Sequence, residues 1–170
     1  MAKDVEKLRK RYMPKSKVSV LFVGESPPKM NFFYQRSGPL YRAIRDAFCE
    51  VFGRQKDFLN FFRAKDCWLA DLFEEKGKRV KESKREEIEE RVEKLAELVR
   101  NKRPEVVVAV IKGIAGYVKK AVRCSHVRTR FRALPFPTYQ KEYFVRDLKG
   151  ILEELEARRG ARAPSQEGRC

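Results

Sequence analysis

The sequence predicts an α/β protein with three layers, in which a central four-stranded parallel sheet is covered by helices on both faces. Continuous apolar runs, such as residues 18–23 and 105–111, are typical of strands that are buried on both sides. Between these runs, apolar residues recur every three or four positions, which indicates helices. Strands that alternate with helices imply parallel strands joined by right-handed crossovers.

The chain has 170 residues, a length that predicts one domain with a core of its own. We assign residues 1–157 to this domain. Residues 158–170 are small, charged and turn-forming, and we expect them to form a disordered basic tail.

Two strands and three helices are predicted in the first half of the chain. Helical spacing ends at Pro14 and again at Gly53, because both residue types interrupt helices. In chain order, the elements are a helix through Val5, Leu8 and Tyr12, a strand at 18–23, a helix at 38–51, a short helix at 57–62, and a strand at 67–70 that leads into Asp71.

The second half is predicted to contain three helices and two strands. Ser83 and Glu86 have the spacing of a capping box and predict a helix start, and Pro104 follows the end of that helix. Thr138 is the predicted N-cap of the last helix. The other elements are a strand at 105–111, a helix from 112 to about 122, an alternating strand at 127–133 that ends before Pro135, and a last helix with Phe144 to Leu155 on its inner face.

The charge of the chain points to a polyanionic partner. Forty Lys and Arg residues against 24 Asp and Glu residues give a formal charge of +16, far more than solubility requires. No apolar run is long enough for a membrane span, so we expect DNA rather than a membrane as the partner, and a monomer. The polar first residues lack the apolar core of a signal peptide, which predicts a cytoplasmic protein.

The cysteines do not indicate a metal site or another cofactor. Cys49, Cys67, Cys124 and Cys170 have no CxxC spacing, and His126 is the only histidine. We therefore expect free thiols, with neither zinc nor an iron-sulfur cluster.

Unusual loops follow three predicted strands. They are Gly24 to Pro28, the segment at Asp71, and Leu134 to Pro137. Ligands of open α/β sheets bind beyond the carboxyl ends of the strands, so we expect these loops to converge on one site. Lys112 and Gly113 begin a helix, where backbone amides are able to bind phosphate.

Two segments of the chain resemble a known family. Gly24-Glu25-Ser26-Pro27 is similar to the Gly-x-x-Pro loop that holds the catalytic water in the uracil-DNA glycosylase superfamily. Phe33 to Gly38 matches the Phe-x-x-Arg-Ser-Gly pattern of the iron-sulfur type, whose Phe stacks on the extruded base. Residues 40–44 resemble the next helix of the mismatch-specific type, and 104–115 resemble a later strand and turn of the superfamily, so the resemblance covers about residues 18–155.

This resemblance implies the same fold and a monofunctional DNA glycosylase that flips out and hydrolyses uracil or a related damaged base during repair. Glu25 and Ser26 are then the catalytic candidates, and Gly24, Phe33 and Asp71 are the candidates for binding the base. The candidate DNA contacts are Arg36, Ser37, Lys112, Gly113, Pro135, Phe136 and Pro137.

The sequence departs from the superfamily at three points. Ser26 replaces the usual water-orienting Asp or Asn, and Ala70 or Asp71 falls where an Asn that reads the base is expected. Leu134-Pro-Phe-Pro137 replaces the loop that carries a stabilising His. A negative charge near the sugar and a positioned water still favour hydrolysis, and Glu25 is able to supply both.

Each candidate also has a structural interpretation. Glu25 is alternatively a cap of the following helix, Ser26 a turn residue, and Asp71 a helix N-cap. Phe33 and Phe136 are alternatively core residues, and His126 is a surface residue or a catalytic one. The basic run at 76–85 is a solvated loop or a phosphate-binding edge.

Two other functions are consistent with the sequence. The first is a nucleic-acid-binding protein that has kept the fold without catalysis, for which the lost His and Asn positions are the main argument. The second is an unrelated α/β hydrolase that acts on nucleotides, although the chain lacks a glycine-rich phosphate loop.

Overall fold

A four-stranded parallel sheet forms the centre of the protein, as predicted. The computed structural model describes residues 2–162. The strands are β1 (Val20–Gly24), β2 (Cys67–Asp71), β3 (Val106–Ala109) and β4 (Arg130–Ala133), in the order β2-β1-β3-β4. All three strand pairs are parallel.

Within residues 2–162, six α-helices surround the sheet and confirm the three-layer α/β architecture. They are α1 (Ala2–Arg11), α2 (Pro39–Phe52), α3 (Phe58–Ala64), α4 (Arg85–Lys102), α5 (Ala115–Ser125) and α6 (Pro137–Arg162). The α2 helix packs against α6, and α4 packs against α5, so these pairs form the two helical layers. Among residues 2–162, no helix has both the length and the apolar character needed to cross a membrane.

The two inner strands are the most deeply buried elements. Every residue of β1 and of β3 is buried, because both strands have neighbours at each edge and a helical layer on each face. This explains why their sequences are continuous apolar runs instead of alternating ones. The outer strand β4 is only half-buried, and its sequence alternates accordingly.

The capping box predicted at Ser83 is wrong. The α4 helix begins at Arg85, and Lys84 is its N-cap, without a side-chain hydrogen bond. The Ser83 hydroxyl instead donates to the backbone oxygen of Arg79 at 2.8 Å and closes the 3-10 turn Val80–Glu82. A local hydrogen bond within this turn has therefore replaced the cap.

The ends of the last two elements also differ from the prediction. Because His126 ends α5 in a left-handed conformation, β4 begins at Arg130 rather than at Val127. The α6 helix begins at Pro137, one residue before the predicted Thr138 cap, and is interrupted at Gln140. It continues to Arg162, so residues 158–162 are helical and not part of the predicted tail; residues 163–170 lie outside the described residues.

A tyrosine completes the outer edge of β2. The Tyr34 hydroxyl donates to the backbone oxygen of Leu69 at 2.9 Å and accepts from the backbone N–H of Leu69 at 2.7 Å. These two groups point away from β1, so they would otherwise form part of an open sheet edge. The Tyr34 ring stacks on Tyr12, the residue after α1, with ring centroids 5.6 Å apart, and this contact places the end of α1 over the same edge.

We expect Tyr34→Phe to destabilise the protein by about 2 kcal/mol, because two buried backbone groups lose their partner while the ring packing is kept. Tyr41→Phe is the control, since Tyr41 is also buried and its hydroxyl makes no hydrogen bond to the described residues. Urea denaturation of both variants measures the difference. Equal stability of the two variants would contradict this role of Tyr34.

Candidate functional site

The strand order creates a crevice beyond the carboxyl ends of the strands. From β1 the chain crosses to β2 on one side, whereas β3 lies on the other side of β1. The loops that leave β1 and β3 therefore diverge, and a crevice opens between them, as is general at such points in open α/β sheets. Gly24 and Glu25 after β1, and Val110 and Ile111 after β3, line this crevice.

An inner pocket of about 290 Å³ occupies the crevice. We use this name for the cavity bounded by Gly24, Phe33, Asp71, Val110 and Phe136. Its walls are mostly apolar, and Glu25, Ser26, Asn31 and Asp71 are the polar side chains. Such a volume is at the lower end of the range for small-molecule sites and suits a compact planar ligand.

Glu25 lines the inner pocket and is half-buried. Its Oε2 atom accepts a hydrogen bond of 3.1 Å from the backbone N–H of Val80, the first residue of the 3-10 turn Val80–Glu82. Glu25 thus caps a turn distant in sequence and not the helical turn that follows it. Only one carboxylate oxygen is used in this contact, and the other, Oε1, has no partner among the described residues.

Asp71 lies in the pocket wall and forms a buried ion pair. Its Oδ2 atom is 2.7 Å from Nη2 of Arg9, and both side chains are only 7% exposed. No helix begins at Asp71, so the interpretation as a helix N-cap is wrong. Burial raises the pKa of Asp71 from 3.8 to about 6, and the Arg9 guanidinium partly offsets this increase.

Gly24 makes room for this carboxylate. A Cβ atom at position 24 would overlap Oδ1 of Asp71, whose side chain is held in this position by the contact of Oδ2 with Arg9. The glycine at the end of β1 is therefore required by a close approach from the next strand and not by its own backbone angles.

Phe33 contributes to the pocket wall but is also part of the core. Its side chain is 3% exposed, and its ring contacts the rings of Tyr34, Tyr41 and Phe62 at centroid distances of 5.0, 5.8 and 5.3 Å. Both interpretations of Phe33 therefore describe part of its environment. Phe32 lines the same pocket and is equally buried.

The structure gives Arg36 and Ser37 local partners. Arg36 Nη1 is 3.2 Å from Oδ1 of Asp57, the N-cap of α3, and Arg36 Nη2 donates to the Tyr12 hydroxyl at 3.3 Å. Ser37 donates to Oδ1 of Asn31 at 2.9 Å, and Asn31 in turn lines the inner pocket. These two residues thus hold the segment that forms one pocket wall.

The other predicted DNA contacts lie near the same edge of the sheet. Lys112 and Gly113 are exposed at the start of a 3-10 turn that leads into α5. Phe136 is half-buried in the wall of the inner pocket, whereas Pro135 and Pro137 on either side are buried. Of this loop, Phe136 is therefore the residue available for contact with a ligand.

A second, larger cavity adjoins the inner pocket. This basic cleft of about 740 Å³ shares Glu25 and Ile111 with the inner pocket. Its four basic residues, Arg79, Lys81, Arg85 and Lys120, outnumber its two acidic ones, Glu25 and Glu89, of which Glu89 pairs with Arg85 at 3.0 Å. The Glu25 contact with Val80 holds one of its walls, and the Gly77 N–H donates to the Pro27 oxygen at 2.9 Å. The basic run at 76–85 is thus an ordered edge attached to the loop after β1.

Three residues of the site were not found from the sequence. Arg9 had a signal, because it lies on the same helical stripe as Val5 and Tyr12, where a charged residue requires a partner. Met30, which is 75% exposed, and Asn31 are brought to the pocket by a loop without periodicity, so nothing in their pattern indicated the site.

The described residues offer no ready metal site. Within residues 2–162, no three His, Cys, Asp or Glu side chains are grouped to hold a metal ion. Cys49, Cys67 and Cys124 are free, and burial raises the pKa of the Cys67 thiol; Cys170 lies outside the described residues. His126 is exposed at the end of α5, before β4 begins. It therefore lies toward the amino ends of the strands, away from the inner pocket at their carboxyl ends.

The Asp71 carboxyl makes the stability of the protein depend on pH. The unfolded chain loses this proton near pH 4 and the folded protein near pH 6, so the contribution of Asp71 is fully present below pH 3.8 and is lost as the pH rises through 6. Relative to Asp71→Asn, we expect the unfolding free energy of the wild type to fall by about 2 kcal/mol between pH 4 and 7.

Urea denaturation across this pH range measures that difference. Asp46→Asn is the matched control, because Asp46 undergoes the same change in a more exposed ion pair with Lys141. A difference between wild type and Asp71→Asn that does not vary with pH would contradict the raised pKa.

Comparison with known protein families and with curated proteins gives no match to this chain.

Proposed function

We propose that this protein is a DNA glycosylase that binds an extruded base in the inner pocket and hydrolyses the bond between the base and its deoxyribose. The observation that carries the proposal is the position of Glu25. It lines both the mostly apolar inner pocket and the basic cleft. A flipped nucleotide needs this arrangement, with its base enclosed, its sugar at the mouth and its phosphates outside.

The walls of the inner pocket suit a planar base. Phe32, Phe33 and Phe136 provide aromatic surface, and Asp71 provides a polar group at the end of β2. Stacking on aromatic rings and a hydrogen bond to the base edge are the usual means of holding a flipped base. The resemblance of Phe33 to Gly38 to the superfamily segment that supplies a stacking Phe supports the same assignment.

Glu25 has the chemistry that the reaction requires. In hydrolysis, a water oxygen bonds to C1′ of the sugar while the bond between C1′ and the base nitrogen breaks and its electrons leave with the base. The water proton passes to Glu25 and then to solvent, and a base that leaves as an anion takes up a proton from solvent, whereas a positively charged alkylated base leaves as a neutral molecule. The free oxygen of Glu25 accepts the water proton, and its negative charge stabilises the positive sugar in the transition state. Ser26 lies beside it in the pocket wall and is able to orient the water.

DNA is the partner favoured by the charge distribution. Arg79, Lys81, Arg85 and Lys120 line the cleft next to the pocket mouth, and the whole chain has a formal charge of +16. Two apolar or aromatic side chains stand exposed near the pocket, Met30 on its rim and Tyr139, 95% exposed, three residues after Phe136. Side chains of this kind fill the space that an extruded base leaves in the duplex.

The alternative is a nucleic-acid-binding protein of the same fold without catalysis. The specific observation in its favour is that Glu25 already accepts a hydrogen bond from Val80, a role that would keep this residue in a purely structural site. Both functions require binding to DNA, and they differ in whether the bond to the base is cleaved.

Single-turnover cleavage of oligonucleotides that each carry one lesion tests the proposal. We expect Glu25→Gln to lower the rate by about a hundredfold or more, because the amide keeps an oxygen for the Val80 N–H but loses the charge that acts in the transition state. Affinity for the lesion should change little.

Glu90→Gln is the control for that experiment, since Glu90 is exposed on α4 and the same charge is removed. Equal rates for Glu25→Gln and wild type would exclude Glu25 from the chemistry. Binding without cleavage of any lesion would support the non-catalytic alternative.

We expect binding to undamaged duplex DNA to weaken steeply with salt, because each neutralised phosphate adds about 0.9 to the slope of log affinity against log salt. Lys120→Gln should lower this slope by about 0.9 if the basic cleft holds one phosphate at this lysine. Lys149→Gln is the control, because Lys149 lies on α6 in the other helical layer and is paired with acidic residues. A slope near zero for the wild type would rule out both nucleic-acid functions.

A further inference from the structure

The inner pocket contains a carboxylate whose orientation is determined by its neighbours. Oδ2 of Asp71 is held by Arg9 at 2.7 Å, and the Arg9 backbone is itself held, since its oxygen accepts from Nε1 of Trp68 at 3.0 Å. Glu6 contacts the same guanidinium at 3.3 Å. Because Arg9 is anchored to β2 through Trp68, the Asp71 carboxylate cannot rotate freely.

The second carboxylate oxygen has no such partner. Oδ1 of Asp71 lies against Cα of Gly24 and accepts no hydrogen bond from the described residues. Because Asp71 lines the inner pocket and Arg9 occupies Oδ2, Oδ1 is the carboxylate oxygen left for a ligand there. An anionic acceptor is therefore available at the end of a cavity whose nearby walls are Leu69, Val110 and the aromatic rings.

We propose that Asp71 selects a base whose polar edge carries an exocyclic amino group, and that Arg9 is the positioning residue that aims its free oxygen at that group. This inference rests on the proposed binding of a base in the inner pocket. The substrate class is thus amino-bearing damaged bases, such as alkylated adenine or guanine, and uracil is disfavoured.

The discrimination follows from hydrogen-bond chemistry. An ionised carboxylate only accepts hydrogen bonds, so an amino group satisfies it. The edge of uracil has two carbonyl oxygens around one N–H, and at least one of them would face the negative carboxylate. A polar group left unpaired in an apolar pocket costs free energy, so the wrong base is rejected more strongly than the right one is held.

An asparagine at position 71 would behave differently. With its oxygen directed at Nη2 of Arg9, its NH2 group faces the pocket, where it donates to a carbonyl oxygen of uracil and offers no acceptor to an amino group. Replacing Asp71 by Asn changes one atom and leaves an oxygen for Nη2 of Arg9. The substitution therefore changes the hydrogen-bonding character of residue 71 while the shape of the pocket stays nearly constant.

The first experiment measures binding of free bases, which does not depend on cleavage. Isothermal titration calorimetry is carried out with 3-methyladenine, adenine, cytosine and uracil on wild type, Asp71→Asn and the surface control Asp46→Asn. We expect the affinity ratio of amino-bearing bases to uracil to fall by about tenfold or more in Asp71→Asn and to stay constant in Asp46→Asn. An unchanged ranking, or no binding of any base to the wild type, would overturn the inference.

The second experiment measures single-turnover cleavage of oligonucleotides that contain 3-methyladenine, 7-methylguanine, uracil or hypoxanthine. The wild type should prefer the first two, and Asp71→Asn should shift the preference toward uracil. Arg9→Met, which removes the partner of Oδ2, should also weaken the selection, whereas a purely structural Arg9 would lower stability and leave the ranking of bases intact. If the wild type cleaves none of these substrates, the proposed glycosylase activity fails, and the free-base ranking alone decides whether Asp71 selects amino groups.

Discussion

The ion pair between Arg9 and Asp71 connects the N-terminal helix, the edge strand and the candidate site. It brings α1 against the outer edge of β2, places a carboxylate in the pocket wall and requires glycine at position 24. Such a pair adds little to stability by itself, because both charges lose their hydration, whereas loss of one partner costs about 3–5 kcal/mol. Its value to this protein therefore lies in the fixed position of a charged group beside a cavity.

Further hydrogen bonds beside the ion pair cover the outer edge of β2. Trp68 donates a hydrogen bond to the backbone oxygen of Arg9, and the Tyr34 hydroxyl pairs with both backbone groups of Leu69. Aromatic rings and hydrogen bonds therefore cover this edge of β2. A sheet of four strands has two edges, and an uncovered one invites pairing with another chain. Here the edge is closed by the segment that also forms the wall of the inner pocket, so the stability of the sheet and the shape of the site depend on the same residues.

The two cavities provide different chemical environments on the two sides of Glu25. Glu25 lies between an apolar space and a positively charged one, and its contact with Val80 ties the loop after β1 to the basic loop after β2. A buried base, a sugar near a carboxylate and phosphates near lysine and arginine would each meet a suitable environment. The carboxylates also differ, since Asp71 is held by a cation and Glu25 by a backbone amide.

The elements of the fold were predictable because burial leaves a periodic signal. The runs at 18–23 and 105–111 became β1 and β3, and the helix predicted to end before Pro104 became α4. The prediction that Ser83 caps the start of α4 was wrong, because the Ser83 hydroxyl forms its hydrogen bond within a local turn instead. Helix ends depend on competition between nearby partners, which a short motif does not describe.

The sequence by itself determined the α/β class, the parallel sheet, the strong positive charge and the loops at the carboxyl ends of the strands, because these follow from periodicity and composition. Only the tertiary structure decided the strand order, and with it the crevice between β1 and β3. It also decided that Arg9 is the partner of Asp71, although 62 positions separate them in the chain. Pairing across such distances is set by how whole layers pack, and no local pattern of residues encodes it.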